Sequence, residues 1–183
     1  SDGKVLAHPR RVQFPEHLLD TVKVQPYTLP PLPSTGKVRA IELVTNLVTQ
    51  ESIIDLDDPA ASEGVAMILA IDRLGKGGSF LGFLKGYGLN KGAIGTTLSW
   101  DTGDMVVVGC DPVSMTTAIE RLKEIHGGYV YAISKEVVAE LSTPVCGFLS
   151  LKPMEAIRDG LKRLEKVLQE NGVKWEKPLL TVE

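Results

Sequence analysis

Two stretches in the second half of the chain carry apolar residues at the three- and four-residue spacing of an amphipathic helix. The first follows Asp111, a good N-cap residue, with Pro112 at the first helical position, and Gly127 and Gly128 are predicted to end it in the left-handed conformation. The second covers residues 153–171. The apolar faces consist of Met115, Ala118, Ile119, Leu122 and Ile125 in the first helix, and of Met154, Ile157, Leu161, Leu164 and Leu168 in the second.

Short runs rich in β-branched residues predict strands in the rest of the chain. A continuous apolar run over residues 65–71 lies between Gly64 and Gly75, and its length favours a buried strand over a helix. Two later runs are separated by residues 134–136, which predicts a hairpin. The predicted strands include residues 38–44, 53–56, 65–71, 93–98, 105–108, 129–133 and 137–141.

About eight strands and two helices predict an α+β fold. Because several strands follow one another directly, we expect a mixed or antiparallel sheet, or two small sheets, rather than a regular alternation of strand and helix. The two main helices are expected to pack on one side of the sheet, as a layered α/β sandwich.

The proline distribution divides the chain in two. Residues 1–36 hold six of the eleven prolines, which exclude long helices, so this part is predicted to be an extended linker from an upstream domain that the sequence does not contain. Within it, residues 3–7 resemble the end of a strand. Residues 37–183 are predicted to form the folded domain.

Composition excludes several classes of partner. The 183 residues are 43% hydrophobic, enough for a real core, and the formal net charge of −3 lacks the basic excess of a nucleic-acid binder. No apolar run has the length of a membrane span, and no signal peptide is visible, so we expect neither nucleic acid nor membrane as a partner and a cytoplasmic location. Cys110 and Cys146 are predicted to be reduced.

The residue types that bind metals and nucleotides are not arranged for either purpose. The three histidines, His8, His17 and His126, have no second ligand at helical or strand spacing, so we predict surface or cap residues and no metal site. The glycines at 75–78 lack the Gly-Lys-Ser/Thr ending of a phosphate loop and are predicted to form a hairpin tip. Gly86-Tyr87-Gly88 precedes a strand rather than a helix, which argues against a dinucleotide fingerprint.

The most chemically interesting polar stretch connects two predicted strands. It contains Trp100, Asp101, Thr102 and Asp104, which are our candidate substrate-binding residues, because a tryptophan and two carboxylates can hold a planar base by stacking and hydrogen bonding. The alternative is a hairpin turn in which Asp101 and Asp104 cap backbone groups, and the residues alone favour that alternative. No nucleophile paired with a histidine base is visible, so no catalytic residue is predicted.

The order of residues between Phe80 and Leu141 resembles the C-terminal domain of the adenine deaminases. The segment Gly-Phe-Leu-Lys-Gly-Tyr-Gly-Leu-Asn-Lys-Gly-Ala-Ile at residues 82–94 is similar to the family's Gly-Phe-Val-Lys-Gly-Phe-Gly-Leu-Lys-Arg-Gly-Ala-Ile, and the likeness continues at 104–109, 121–128 and 138–141. One departure concerns the candidate site. Where the family typically has His-Asp-Ser-His-Asn, residues 100–104 read Trp-Asp-Thr-Gly-Asp.

The resemblance implies a metal-dependent amidohydrolase whose (β/α)₈ barrel uses a divalent ion, manganese, iron or zinc, to activate water against adenine, giving hypoxanthine and ammonia. Its ligands normally begin with a His-x-His strand, which is absent from this sequence, so the barrel is expected upstream, as a partner domain. We therefore expect this chain to be inactive alone and without a cofactor, and a homo-oligomer stays open. The alternative is a free-standing, non-catalytic purine-binding or protein-interaction module.

Overall fold

Eight strands and three helices form the computed structural model, which describes residues 15–24, 26–29, 31–73 and 77–182. Residues 3–7, predicted as a strand end, lie outside the described residues. The strands are β1 Lys37–Leu43, β2 Thr49–Asp55, β3 Ala66–Ile71, β4 Ser79–Lys85, β5 Ala93–Thr96, β6 Met105–Gly109, β7 Gly128–Ile133 and β8 Glu136–Ser142. The helices are α1 Pro59–Ser62, α2 Pro112–Glu124 and α3 Met154–Glu170, and short 3-10 turns lie at Glu16–Leu18 and Leu180–Val182.

All eight strands belong to one sheet in the order β2-β1-β4-β3-β6-β5-β7-β8. Strands β1 and β4 pair in parallel, and the other described pairs are antiparallel. The sheet is therefore mixed, and the predicted α+β class is confirmed. The single sheet decides between the two arrangements that the sequence left open.

Most predicted strands are confirmed, with shifted ends. The run at 65–71 is β3, which pairs with β4 as a hairpin, although residues 74–76 at its tip are outside the described part. The run predicted at 53–56 is the end of a longer strand, β2, which starts at Thr49. The hairpin between β7 and β8 is also present, and Ser134 turns it with a positive φ of 54°.

The two main helices pack on opposite faces of the sheet, so the prediction that they share one side was wrong. Strand β7 shows the arrangement, because Tyr129 and Tyr131 belong to the core that includes Leu164 and Leu168 of α3. Their neighbours Val130 and Ala132 belong to the core under α2. Successive side chains of a strand point to opposite faces, so the molecule has three layers, with the sheet in the middle.

Helix α2 begins as the sequence predicts and ends one residue earlier than the glycines suggest. The Asp111 carboxylate accepts a hydrogen bond from the Ser114 backbone N–H at 2.8 Å, and Pro112 occupies the first turn. At the other end, the first left-handed residue is His126, with φ of 60°, and Gly127 follows. The predicted glycine cap is therefore corrected to His126, which agrees with the expectation that this histidine is a cap residue.

Helix α3 spans Met154–Glu170, close to the predicted 153–171. Its apolar stripe is buried unevenly, since Leu164 and Leu168 have no exposed surface and Met154 is 75% exposed. The C-terminal half of the stripe thus provides most of the contact with the sheet.

The segment before β1 packs against the α2 side of the sheet. Val22 is buried in that core, Tyr27 and Leu29 pack against it, and the Leu18 carbonyl accepts a hydrogen bond from Cys146 N at 2.8 Å. The described part of residues 1–36 therefore contributes to the folded unit. Its assignment as an interdomain linker stays a prediction.

A two-pronged ion pair connects α2 to β8. Arg121 donates from Nε to Glu140 Oε2 at 2.6 Å and from Nη2 to Glu140 Oε1 at 2.9 Å, and it also donates from Nη1 to Glu124 at 2.9 Å. The Arg121 hydrogen bonds lower the pKa of Glu140 below its ordinary value. Planar, two-pronged pairs of this kind are the stronger members of the ion-pair class.

We expect Glu140→Gln to destabilise the chain by about 1 kcal/mol at pH 7, since both partners remain about one third exposed. Because the carboxyl pKa of Glu140 is lower in the folded than in the unfolded chain, ionised Glu140 stabilises the fold at pH values above its unfolded pKa of about 4.3. This contribution disappears as the pH falls through the pKa of Glu140 in the folded chain. The difference between the parent and the variant should therefore close between neutral and acidic pH in urea unfolding experiments. Glu51→Gln, in the more exposed Arg39–Glu51 pair, is the control and should change little. A difference that is independent of pH would contradict the ion-pair account.

No helix of the described residues is long and apolar enough to cross a membrane.

Candidate functional site

The polar connection predicted as a candidate site joins β5 to β6 and is a tight turn. Gly103 N donates to the Ser99 carbonyl at 3.1 Å, and Thr102 Oγ1 lies 3.0 Å from Ser99 Oγ and accepts a hydrogen bond from Asp104 N at 3.2 Å. Within the described residues, neither the Asp101 nor the Asp104 carboxylate accepts a backbone hydrogen bond. The turn alternative is thus correct about geometry and wrong about the caps, which Thr102 provides.

Trp100 and Asp101 lie beside the β1–β2 turn and the C-terminal segment. Together they line a cavity of about 230 Å³ with Asn46 and Thr181, whose side chains lie 3.3 Å apart. Trp100 is 66% exposed, so its ring is available for stacking. The cavity is smaller than the roughly 300–1,000 Å³ of typical ligand pockets. Purine stacking on Trp100 therefore stays a prediction.

Asp104 lies on the other side of the connection, close to Arg73. Strands β3 and β6 pair Ile71 with Met105, so the residues just beyond that pair, Arg73 and Asp104, share one end of the sheet. Burial lowers the pKa of the Arg73 guanidinium, and the neighbouring Cys146 and Asp104 act in the opposite direction. The structure thus separates the predicted residues into two groups and adds Arg73, which the sequence analysis missed.

Glycines within residues 82–94, the segment that resembles the family, allow close contacts between backbones. A Cβ placed on Gly88, whose φ is +86°, would lie 3.0 Å from the Gly172 carbonyl oxygen. Nearby, Trp175 Nε1 donates to the Gly86 carbonyl at 2.8 Å, and Asn90 N donates to the Asn171 carbonyl at 2.9 Å. Strand β5 follows this segment, which agrees with the argument against a dinucleotide fingerprint.

Both cysteines are free and half-buried. Burial raises the pKa of the Cys110 thiol to about 11, with a smaller contribution from Asp111. Cys110 Sγ also donates to the Leu89 carbonyl at 3.3 Å. Cys110 is therefore a protonated packing residue at neutral pH and a poor nucleophile.

No three His, Cys, Asp or Glu side chains of the described residues lie together in a group that could hold a metal ion. The described donors thus do not fit the divalent ion that the resemblance implies for the enzyme, and no metal-dependent step is assigned to them.

The mixed sheet with a helix on each face, the β5–β6 turn and the buried Arg73 together define the chain as an α+β domain. A family model for the adenine deaminase C-terminal domain matches residues 42–183. The chain belongs to that family, as the residue pattern between Phe80 and Leu141 indicated.

Curated relatives agree with the family. The chain is 42% identical over 123 residues to an adenine deaminase of Cereibacter sphaeroides. This alignment covers 67% of this chain and 22% of the relative. It is 36% identical over 155 residues to an adenine deaminase of Brucella abortus, with 80% of this chain and 27% of the relative covered, and a Brucella anthropi adenine deaminase is similar at 36%, with 80% and 28% covered. The chain therefore spans about a quarter of the length of these relatives.

Proposed function

We propose that this chain is the C-terminal domain of an adenine deaminase-like aminohydrolase and that it supports a separate barrel in which adenine and water give hypoxanthine and ammonia. The family match over residues 42–183 carries the proposal. The matching relatives are named adenine deaminases, and the chain corresponds to at most 28% of their length. We therefore propose that the catalytic residues lie in the remaining part of such an enzyme.

The scarcity of metal-ligating side chains in this chain supports a separate catalytic domain. Deamination at C6 of a purine needs a metal that lowers the pKa of water and a group that moves protons. The sequence offers three separated histidines and no His-x-His pair. The metal ligands are therefore proposed for the barrel. A cytoplasmic location stays a prediction from the sequence.

The edge region of the sheet formed by β2, β1 and β4 exposes several apolar side chains. The side chains of Val44, Leu47, Val48, Ile53 and Phe80 are all at least half exposed. A groove of about 780 Å³ runs beside β1 and β4 and is lined in part by Leu81 and Phe83. Exposed apolar surface of this kind is typical of interfaces. We place the contact with the barrel domain on this edge.

A chimera tests the proposal. This chain replaces the matching C-terminal part of the Cereibacter sphaeroides adenine deaminase, and ammonia release from adenine is measured with manganese, iron or zinc. We expect the chimera to keep activity within about tenfold of the parent, a change of about 1.4 kcal/mol in barrier. The isolated chain should release no ammonia under the same conditions.

Two variants of the chimera examine the contact surface. Phe80→Asp places a charge at the exposed start of β4 and should lower activity or thermal stability, because an unpaired charge buried in the domain contact is costly. Val113→Asp, at a similarly exposed position on α2, is the matched control and should behave like the parent chimera. Turnover by the isolated chain, or a folded and metal-loaded chimera without activity, would contradict the proposal. Heat of adenine binding to the isolated chain that Trp100→Ala abolishes would instead favour the purine-binding module.

A further inference from the structure

Arg73 is a buried cation whose Nε–H donor finds no acceptor in the described part of the chain. It follows β3 by two residues and is only 3% exposed, and its Nε–H has no hydrogen-bond partner among the described residues. Buried polar groups in native proteins are nearly always paired, and a guanidinium removed from water without an acceptor is costly. The position of Arg73 therefore requires an acceptor that the described residues do not supply.

The surroundings cover the flat side of the guanidinium. A Cβ built on Gly147 would lie 3.0 to 3.3 Å from Nη1, Cζ and Nη2 of Arg73, and Cζ lies 4.9 Å from the centre of the Phe148 ring. The Gly147 carbonyl is held by hydrogen bonds from Thr97 Oγ1 at 2.7 Å and Thr143 Oγ1 at 3.0 Å. The loop that contacts Arg73 across the flat side is thus fixed, and the guanidinium N–H groups all point along the in-plane edge.

The charge of Arg73 is also uncompensated at short range. None of the ion pairs among the described residues includes Arg73, although Asp104 is near enough to influence its pKa. An arginine stays protonated at all physiological pH values, since its ordinary pKa lies far above neutrality. The site therefore combines a permanent positive charge with a free, directional donor.

We propose that Arg73 is the centre of a binding site for a small oxyanion, a carboxylate or a phosphate group, which sits on the in-plane edge of the guanidinium. The fork of N–H donors in arginine matches the spacing of two oxygens on such a group, which gives two parallel hydrogen bonds. Asp104 lies beside the site and limits its affinity by repulsion. This inference does not depend on the deaminase proposal, because it rests on contacts within the chain.

Nuclear magnetic resonance of the ¹⁵N-labelled chain tests the site directly. The arginine Nε–H signals are followed while sodium phosphate or, separately, sodium acetate is added at ionic strength matched with sodium chloride. The Arg73 signal, assigned through its backbone, should shift with saturation, whereas the signal of Arg39, which is already paired with Glu51 at the surface, should stay in place. A response to phosphate alone identifies a phosphate site, and a response to acetate identifies a carboxylate site.

Two substitutions sharpen the result. Arg73→Lys keeps the charge but loses the planar fork, and should weaken binding at least about tenfold. Asp104→Asn removes the repelling carboxylate and should tighten binding about fivefold. Should Arg73→Lys fail to fold, the titration of the unmodified chain still decides the question. The absence of a saturable shift with both anions would overturn the proposal. An Arg73 signal that changes only on the Asp104→Asn substitution would also overturn it, because the partner of Arg73 would then be Asp104 itself.

Discussion

Replacing Gly128 with alanine should prevent stable folding. Gly128 is the first residue of β7 and has a φ of +129°, and a Cβ there would lie 1.9 Å from the carbonyl oxygen of Leu141 and 2.9 Å from its carbonyl carbon. Both contacts are to the backbone of the paired strand β8, which cannot rotate away as a side chain does. Relief would separate the two strands, so we expect a loss above about 4 kcal/mol, at the extreme of single substitutions.

Gly64→Ala is the matched control. Gly64 also has a positive φ, +69°, but nothing lies within 4 Å of the position of its Cβ. The left-handed conformation alone costs a residue with a side chain about 1–2 kcal/mol. Soluble yield, far-ultraviolet circular dichroism and thermal melting of both variants measure the difference. Equal stability of the two variants would show that the β7–β8 contact relaxes more easily than the structure implies.

Leu122→Ala should give the second largest effect. Leu122 has no exposed surface, and its Cδ1 occupies the space that the missing side chain of Gly95 leaves on β5. Removing three carbon atoms from this contact leaves a cavity that the neighbouring helix and sheet cannot fill, which costs about 2–5 kcal/mol. Urea unfolding at neutral pH measures the loss. Leu151→Ala, at a position that is 58% exposed, should change stability by less than about 0.5 kcal/mol.

A double-mutant cycle examines whether Leu122 and Gly95 act as a pair. A Cβ on Gly95 would lie 2.8 Å from Leu122 Cδ1, so Gly95→Ala alone should destabilise by overpacking. In the variant with both substitutions, the added methyl group enters the cavity, and its cost should be smaller than the sum of the two single changes. Simple additivity would indicate that the two positions do not share this space.

The candidate site could be predicted from the sequence only in part. The connection at residues 100–104 was located correctly between two strands, because its polar residues interrupt two apolar runs. Arg73, which lies near Asp104, could not be found in this way. Residues 74–103 separate Arg73 from Asp104 in the chain, and the pairing of β3 with β6 is what places them at the same end of the sheet. No local pattern records that pairing.

Patterns within short stretches of residues predict the elements whose signals are local: α2 with its Asp111 cap, the apolar stripe of α3, the β7–β8 hairpin, and the glycine-bearing segment that identifies the family. Which face of the sheet each helix covers, and the parallel pairing of β1 with β4, become visible only in the folded chain. Residues 129–132 of β7 are apolar on both faces, so no alternation along the strand told one side from the other. Strand order likewise depends on long-range hydrogen bonds and packing, which the spacing of residues within one strand does not encode.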